Sequence, residues 1–355
     1  MPPLSMLIKP VSGACGLRCR YCFYQEKHAG AMSLETLEAL VKKALGFAGG
    51  SCTFMFQGGE PTLAGLPFFE KLVQYQKMYN TNRVSILNGL QTNGQHINGA
   101  WADFLAKNDF LAGLSLDGPR ELHDKNRGKG SFDRAMQSAR LFQQAGVQFN
   151  ILCVVTKDTA KQGAQVYRFF RGKGFRYLQF IPCLDPIGMR RGGQPWSLTP
   201  QGYLAFLKAT FDLWYRDMKN GDIVSVRWFD NLLAMVMGRP PEACGMSGAC
   251  SCQFVTEADG SVYPCDFYVD DAWMLGRILE DSFEEMRFSP NCVRFIEESL
   301  APHPGCKACR WFPLCRGGCK RDRLNDNRNY YCLAYRGFFA YAMPGLRELA
   351  VQFQE

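Results

Sequence analysis

No apolar run in the sequence approaches the roughly 20 residues a helix needs to cross a bilayer, which argues against a membrane-spanning helical protein. Histidine is scarce: His28, His96, His123 and His303 show no ligand spacing such as H-x3-H, and they read as surface or local hydrogen-bonding residues. Charge is not concentrated either. The net charge of +8 is scattered, with local pairs at Arg190-Arg191 and Lys320-Arg321 and no long basic stripe, so a nucleic-acid partner is not expected. An acidic cofactor or an acidic peptide would be attracted equally well. The N-terminal Met1-Pro2-Pro3-Leu4-Ser5 lacks a basic region followed by a long apolar segment, so no secretory signal is visible and the expected location is the cytoplasm.

What the chain has in quantity is cysteine. Sixteen thiols in 355 residues, without a secretory signal, point to metal binding or catalysis rather than a disulfide framework. Three of them form the tight loop Cys15-x3-Cys19-x2-Cys22 just after the apolar run Met6-Leu7-Ile8. A structural zinc takes four protein ligands and a cubane cluster usually has four thiolates, so three suggest a metal site with one open position. Buried ordinary thiols, or a structural zinc closed by a distant fourth ligand, are the alternatives.

With an aromatic residue before its last cysteine, this loop resembles the signature of the radical S-adenosylmethionine enzymes. That resemblance implies a [4Fe–4S] cluster on Cys15, Cys19 and Cys22, with S-adenosylmethionine chelating the fourth iron and Tyr21 beside the adenine.

From Met6 to about Ile181, short β-rich runs alternate with helical patterns, the sequence form of a parallel sheet wrapped by helices. Predicted strands cover residues 6–9, 52–56, 84–91, 111–116, 147–155 and 176–181. Predicted helices cover 34–45 with Ser33 as N-cap, 66–78, 99–107, 132–145, 160–172 and 200–220. Six strands are too few for a closed eight-stranded barrel, so the fold class is α/β, an open partial (β/α)6 barrel resembling a TIM barrel. Its active site is expected at the strand C-terminal ends. A loop over 185–195 and a change to cysteine-punctuated, irregular sequence beyond about 224 suggest domains at 1–223 and 224–335, with a C-terminal helix over 336–355.

Gln57-Gly58-Gly59-Glu60-Pro61 follows the second predicted strand. Paired glycines let backbone approach a ligand, and Glu60 and Pro61 fix the turn. The segment also resembles the one with which radical enzymes bind the amino group of S-adenosylmethionine, with Gln57 facing the pocket. Ser115, ending the fourth strand, and Arg127 are candidates to meet the cofactor's carboxylate or ribose; a capping serine and a surface arginine are the plain alternatives. Asn93-Gly94 reads as a turn. Leu184 matches a position that in the resembled family touches the cofactor through its backbone.

Further thiols follow at Cys244, Cys250, Cys252 and Cys265, then as Cys306-x2-Cys309-x5-Cys315-x3-Cys319, then Cys332. A zinc ribbon is one reading of paired C-x2-C knuckles. The pattern resembles the SPASM extension of peptide-modifying radical enzymes, which carries two auxiliary [4Fe–4S] clusters. The resemblance implies one cluster on Cys244, Cys250, Cys265 and Cys319 and another on Cys306, Cys309, Cys315 and Cys332. Spacing leaves open whether Cys250 or Cys252 is the ligand. Cys52, Cys153, Cys183 and Cys292 belong to no motif and read as core or surface thiols.

Asp266 stands directly after Cys265, where a carboxylate could accept a hydrogen bond behind the cluster or act as a general base. This stretch, with Cys244-Gly245-Met246, Phe56 to Gly65 and Trp311 to Cys315, resembles the anaerobic sulfatase-maturating enzymes over essentially the whole chain. The resemblance implies three [4Fe–4S] clusters, S-adenosylmethionine, an unfolded sulfatase segment of the form Cys/Ser-x-Pro-x-Arg, and a reducing donor such as flavodoxin or ferredoxin. A 5′-deoxyadenosyl radical would take hydrogen from Cβ of the cysteine or serine, Asp266 would take the thiol or hydroxyl proton, and the remaining electron would leave through the auxiliary clusters, giving formylglycine. The short link from Phe23 to Met32 departs from that family. A maturase that cross-links or epimerises another peptide, or a non-enzymatic zinc-ribbon protein, are the alternatives.

Overall fold

The computed structural model describes residues 2–24 and 30–353. His28 and most of the link from Phe23 to Met32 lie outside the described residues. Seven strands run parallel in chain order: β1 (Leu4–Ile8), β2 (Ser51–Phe56), β3 (Ser85–Thr92), β4 (Phe110–Ser115), β5 (Phe149–Val155), β6 (Tyr177–Pro182) and β7 (Ser225–Val226). Each pairs with its neighbour in sequence, as right-handed crossovers through helices require. All six predicted strands are present with ends moved by at most two residues, and β7 is an addition.

The helices follow from local chemistry. Ser33 Oγ accepts from the Thr36 N–H at 3.0 Å and starts α1 (Leu34–Phe47), whose buried stripe is Thr36, Leu37, Leu40, Val41, Ala44 and Leu45. Helices α2 (Leu66–Tyr79) and α3 (Gly99–Lys107) match prediction closely. α4 (Arg120–Arg127) was not expected: it carries one apolar residue, Leu122, and therefore no periodic signal. α5 (Ser131–Ala145) follows. The single helix predicted over 160–172 is two, α6 (Lys157–Ala160) capped by Thr156 and α7 (Gly163–Gly172). Gly163 permits the close approach of α7 to α8 (Pro200–Lys219), because a Cβ there would stand 2.9 Å from the Phe206 ring.

The cysteine-rich part is continuous with the barrel. β8 (Val255–Thr256) pairs parallel with β1 through Leu7 and Ile8, and β9 (Ser261–Tyr263) and β10 (Gly276–Arg277) extend the same sheet antiparallel to ten strands. At the other edge, α9 (Arg227–Val236) and α10 (Cys332–Gln352) close over α8 with aromatic contacts. Phe229 stacks on Phe338 at 5.7 Å and Trp228 on Phe339 at 6.1 Å. The chain thus returns from the cysteine-rich region to the barrel wall, and the two parts enclose a common space at the strand C-terminal ends.

Candidate active site and thiol clusters

A cavity of about 260 Å³ opens where β1 to β4 end. Cys15, Cys19 and Cys22 line it from the loop after β1, Gln57, Gly58, Gly59 and Asn93 from the loops after β2 and β3, Ser115 from the end of β4 and Arg127 from α4. Asp266, from the far side of the sequence, completes the wall. This is the end of the sheet at which parallel α/β folds place their chemistry.

The Gly-Gly segment is stitched to the cysteine loop by backbone. The Gly59 N–H donates to Ser12 O and the Glu60 N–H to Ala14 O, both at 2.8 Å. A Cβ at Gly59 would stand 2.0 Å from Ala14 O, so no other residue fits. Glu60 does not line the cavity. It is 0% exposed, and its carboxylate takes four donors: Thr62 N, Thr62 Oγ1, Thr92 Oγ1 and Asn93 N. Burial raises its pKa and these bonds act in the opposite direction. Its effect is to lock the turns after β2 and β3 together. The Asn93 side chain, read from sequence as a turn, then places Nδ2 3.5 Å from Cys15 Sγ.

Tyr21 and Arg127 are held by a residue that sequence reasoning missed. Asp117, 0% exposed, accepts from Tyr21 Oη at 2.7 Å, from Arg127 Nη2 at 3.2 Å and from Val154 N at 3.1 Å, with Arg127 Nε also 3.1 Å away. Arg127 Nη1 reaches to 4.0 Å from Cys19 Sγ. Burial pushes the Cys19 thiol up to about 11, against the pull of Arg127. Burial also raises Cys15 and Cys22.

An adjoining apolar pocket of about 340 Å³ shares the Tyr21–Cys22–Phe23 wall and lies between the barrel and the cysteine-rich part. Leu184 lines this second pocket rather than the first, beside Phe180, Pro182, Phe267 and Trp228.

The remaining thiols fall into two groups. Cys265 and Cys319 lie close enough to Cys244 to feel its charge, and Cys250 is near both Cys244 and Cys265; burial pushes Cys265 up to about 12. Cys306, Cys309, Cys315 and Cys332 open on one cavity of about 780 Å³. Burial pushes Cys315 up to about 11, with its three neighbours adding to the shift. Cys252 stands apart: it is hydrogen-bonded to Cys292, which raises the pKa of Cys252 and lowers that of Cys292. Cys52, Cys153, Cys183 and Cys292 are buried in the core.

Among the described residues no three His, Cys, Asp or Glu side chains converge tightly enough to hold a single ion. Thiols that ligate different irons of one cluster stand further apart than the ligands of one zinc, and an all-thiol donor set suits iron–sulfur chemistry. The glycine cradle, the three thiols on one loop and the polar wall therefore fit a cluster with an organic ligand beside it.

Residues 10–170 match the model of the Radical SAM superfamily, and residues 244–310 match that of an iron-sulfur cluster-binding domain, SPASM. The chain is 49% identical over 366 residues to the cysteine-type anaerobic sulfatase-maturating enzyme of Clostridium perfringens, covering 99% of each. It is 31% identical to the serine-type enzyme of Bacteroides thetaiotaomicron, covering 96% of this chain and 90% of that one. A solved structure of native anSMEcpe with bound AdoMet and Cp18Cys peptide superimposes with a TM-score of 0.96 at 49% identity, covering 99% of this chain and 100% of that one. Streptococcus suis SuiB bound to S-adenosylmethionine, 17% identical with a TM-score of 0.67 over 93% and 77% of the two chains, shares the fold.

Fold and site define a radical S-adenosylmethionine enzyme with a SPASM-type extension. Within that class the chain belongs to the family of anaerobic sulfatase-maturating enzymes. Membership carries a [4Fe–4S] cluster with S-adenosylmethionine in the barrel and iron–sulfur binding in the C-terminal region. Among the described residues, no helix is long and apolar enough to cross a membrane.

Proposed function

We propose that this chain oxidises a cysteine of a sulfatase segment, Cys-x-Pro-x-Arg, to formylglycine. The observation that carries this reading is the placement of Asp266 and the Cys15–Cys22 loop on one cavity, so that a side chain held between them meets a carboxylate and the cofactor site at once. The preference for cysteine over serine is supported by the identities of 49% to the cysteine-type relative and 31% to the serine-type one.

Cys15, Cys19 and Cys22 hold the barrel cluster. Cys244, Cys250, Cys265 and Cys319 hold one auxiliary cluster, and Cys306, Cys309, Cys315 and Cys332 the other, three in all. With the cluster and S-adenosylmethionine bound, the site would supply a 5′-deoxyadenosyl radical able to take hydrogen from the substrate Cβ. Tyr21 abuts the adenine, while Gln57, Gly58, Gly59, Ser115 and Arg127 meet the polar groups of the cofactor, with Glu60 fixing the turn that presents the glycines. Leu184 borders the cofactor from the adjoining apolar pocket, which takes the substrate residues flanking the cysteine and excludes water. Asp266 accepts the thiol proton. The thioaldehyde left by loss of the hydrogen atom, proton and electron is hydrolysed by water to formylglycine, releasing hydrogen sulfide; the auxiliary clusters would take up the electron, and a flavodoxin or ferredoxin in the cytoplasm would supply the reducing equivalent for the barrel cluster. A barrel domain over 1–223, a cluster domain over 224–335 and a terminal helix are the units of this arrangement.

The test is anaerobic incubation of reconstituted protein, S-adenosylmethionine and dithionite with peptides that differ only in cysteine or serine at the target position. Formylglycine from the cysteine peptide, read by mass spectrometry, is expected. Cofactor cleavage with no aldehyde from either peptide would refute the maturase reading. Asp266→Asn is expected to keep the clusters and lose peptide oxidation.

A further inference from the structure

Lys9 follows β1 and is 1% exposed. An ammonium taken out of water costs several kcal/mol, and is retained only where charged partners offset that cost. Its Nζ lies 2.6 Å from Asp266 Oδ1 and 3.6 Å from Glu257 Oε1, and sits 3.5 Å above the centre of the Tyr24 ring. Tyr24 in turn donates its hydroxyl to Glu257. The lysine stem runs along Gly58, whose absent Cβ would come within 3.0 Å of it. Lys9 also lines the cofactor cavity.

The geometry sets Asp266 Oδ1 against the ammonium as an ion pair, with Nζ making no hydrogen bond among the described residues, and the aspartate side chain is 18% exposed at the cavity wall. A carboxylate on a short irregular segment has no rigid helix or strand to aim it, since Asp266 opens a single 3-10 turn (Asp266–Tyr268). The buried cation supplies that aim from the barrel, anchored on the strand that joins the two parts of the sheet.

We propose that Lys9 is the positioning residue for Asp266: it clamps Oδ1 so that Oδ2 faces the substrate thiol and takes its proton. Glu257 and Tyr24 form the back wall that keeps the ammonium in place. This rests on the reading of Asp266 as the base.

The test compares Lys9→Met, Lys9→Gln, Lys9→Arg, Asp266→Asn and the double variant K9M/D266N, each reconstituted anaerobically, for iron content, 5′-deoxyadenosine release and aldehyde formed. Misplacing a reacting group by about 1 Å costs on the order of 100-fold. K9M and K9Q are expected to keep their iron and cofactor cleavage, to lower kcat for aldehyde by roughly 10- to 100-fold with KM little changed, and to release more 5′-deoxyadenosine per aldehyde. K9R is expected to recover much of the loss. K9M/D266N is expected to fall no further than D266N alone, because the two residues act as one unit. With D266N suppressed to a residual rate that can still be measured, a multiplicative loss in the double variant, wild-type kcat in K9M, or loss of iron in both uncharged variants would overturn the positioning role. D266N working at the wild-type rate would remove the base itself, and this proposal with it.

Discussion

Replacing Asp117 by asparagine tests whether the cofactor cavity depends on a charge buried behind it. Asp117 accepts from Arg127 Nη2 and Val154 N at Oδ1 and from Tyr21 Oη at Oδ2, with Arg127 Nε in ion-pair contact at Oδ2. An asparagine can accept at one position only, so in either orientation its NH2 is set against an N–H of Arg127. The tyrosine hydroxyl can turn to accept, but the guanidinium cannot. Arg127, 7% exposed, is then left with a buried charge and no carboxylate. Breaking such a pair costs about 3–5 kcal/mol, and about 3 is the reasonable figure where the amide keeps half the bonds. Tyr21 and Arg127 both line the cavity, so the loss is expected to appear in cofactor binding as well as in stability. Anaerobic calorimetry should show S-adenosylmethionine affinity weakened about tenfold or more, equivalent to at least about 1.4 kcal/mol. The melting temperature of the reconstituted protein should fall by roughly 6 °C, taking about 2 °C per kcal/mol. A melting temperature within about 1 °C of wild type, together with unchanged affinity, would refute the reasoning.

Gly59→Ala is expected to abolish S-adenosylmethionine cleavage, because its Cβ would collide with the Ala14 backbone; release of 5′-deoxyadenosine measures this. On the proposed assignment of three clusters, Cys250→Ser should lose about a third of the bound iron, whereas Cys252→Ser should keep it, since Cys252 is occupied with Cys292; iron analysis after reconstitution decides. Burial raises the Asp230 carboxyl to about 6, against the hydrogen bond from Ser225. A raised carboxylate pKa means that the folded state holds its proton more tightly, so stability is lost as pH rises from about 4 to about 6 and is flat above that. Asp230→Asn escapes this loss, and its melting temperature relative to wild type should rise between pH 5 and pH 7.5, by an amount equivalent to at most about 3 kcal/mol.

Some features were legible because their signals are local. The three-thiol loop, Gly58-Gly59, the six long strands and the Ser33 cap each declare themselves within a few residues. Others left no such signal. α4 is almost wholly polar, so apolar periodicity could not find it, although it carries Arg127 and buries an arginine that from sequence reads equally as a cofactor contact or a surface residue. β7 and β8 are two residues each, too short for alternation to register, yet β8 ties the cysteine-rich part to β1. Leu184 could be placed by resemblance, but only packing put it in the apolar pocket instead of the thiol-lined one.

The sequence alone determined the chemistry: an incomplete thiol set with its glycine partner segment, a parallel α/β frame that brings both to one end, and enough further cysteine for auxiliary clusters. Tertiary structure decided how those parts are aimed. Cys250 separates from Cys252 because the latter meets Cys292, and Asp117, Lys9 and Glu257 acquire meaning only through partners far along the chain, as with Tyr24 and Glu257, 233 residues apart. The physical reason is that a ligand motif is written by spacing along the backbone, whereas a buried polar group must find its partner wherever the fold brings one, and no local pattern records that meeting.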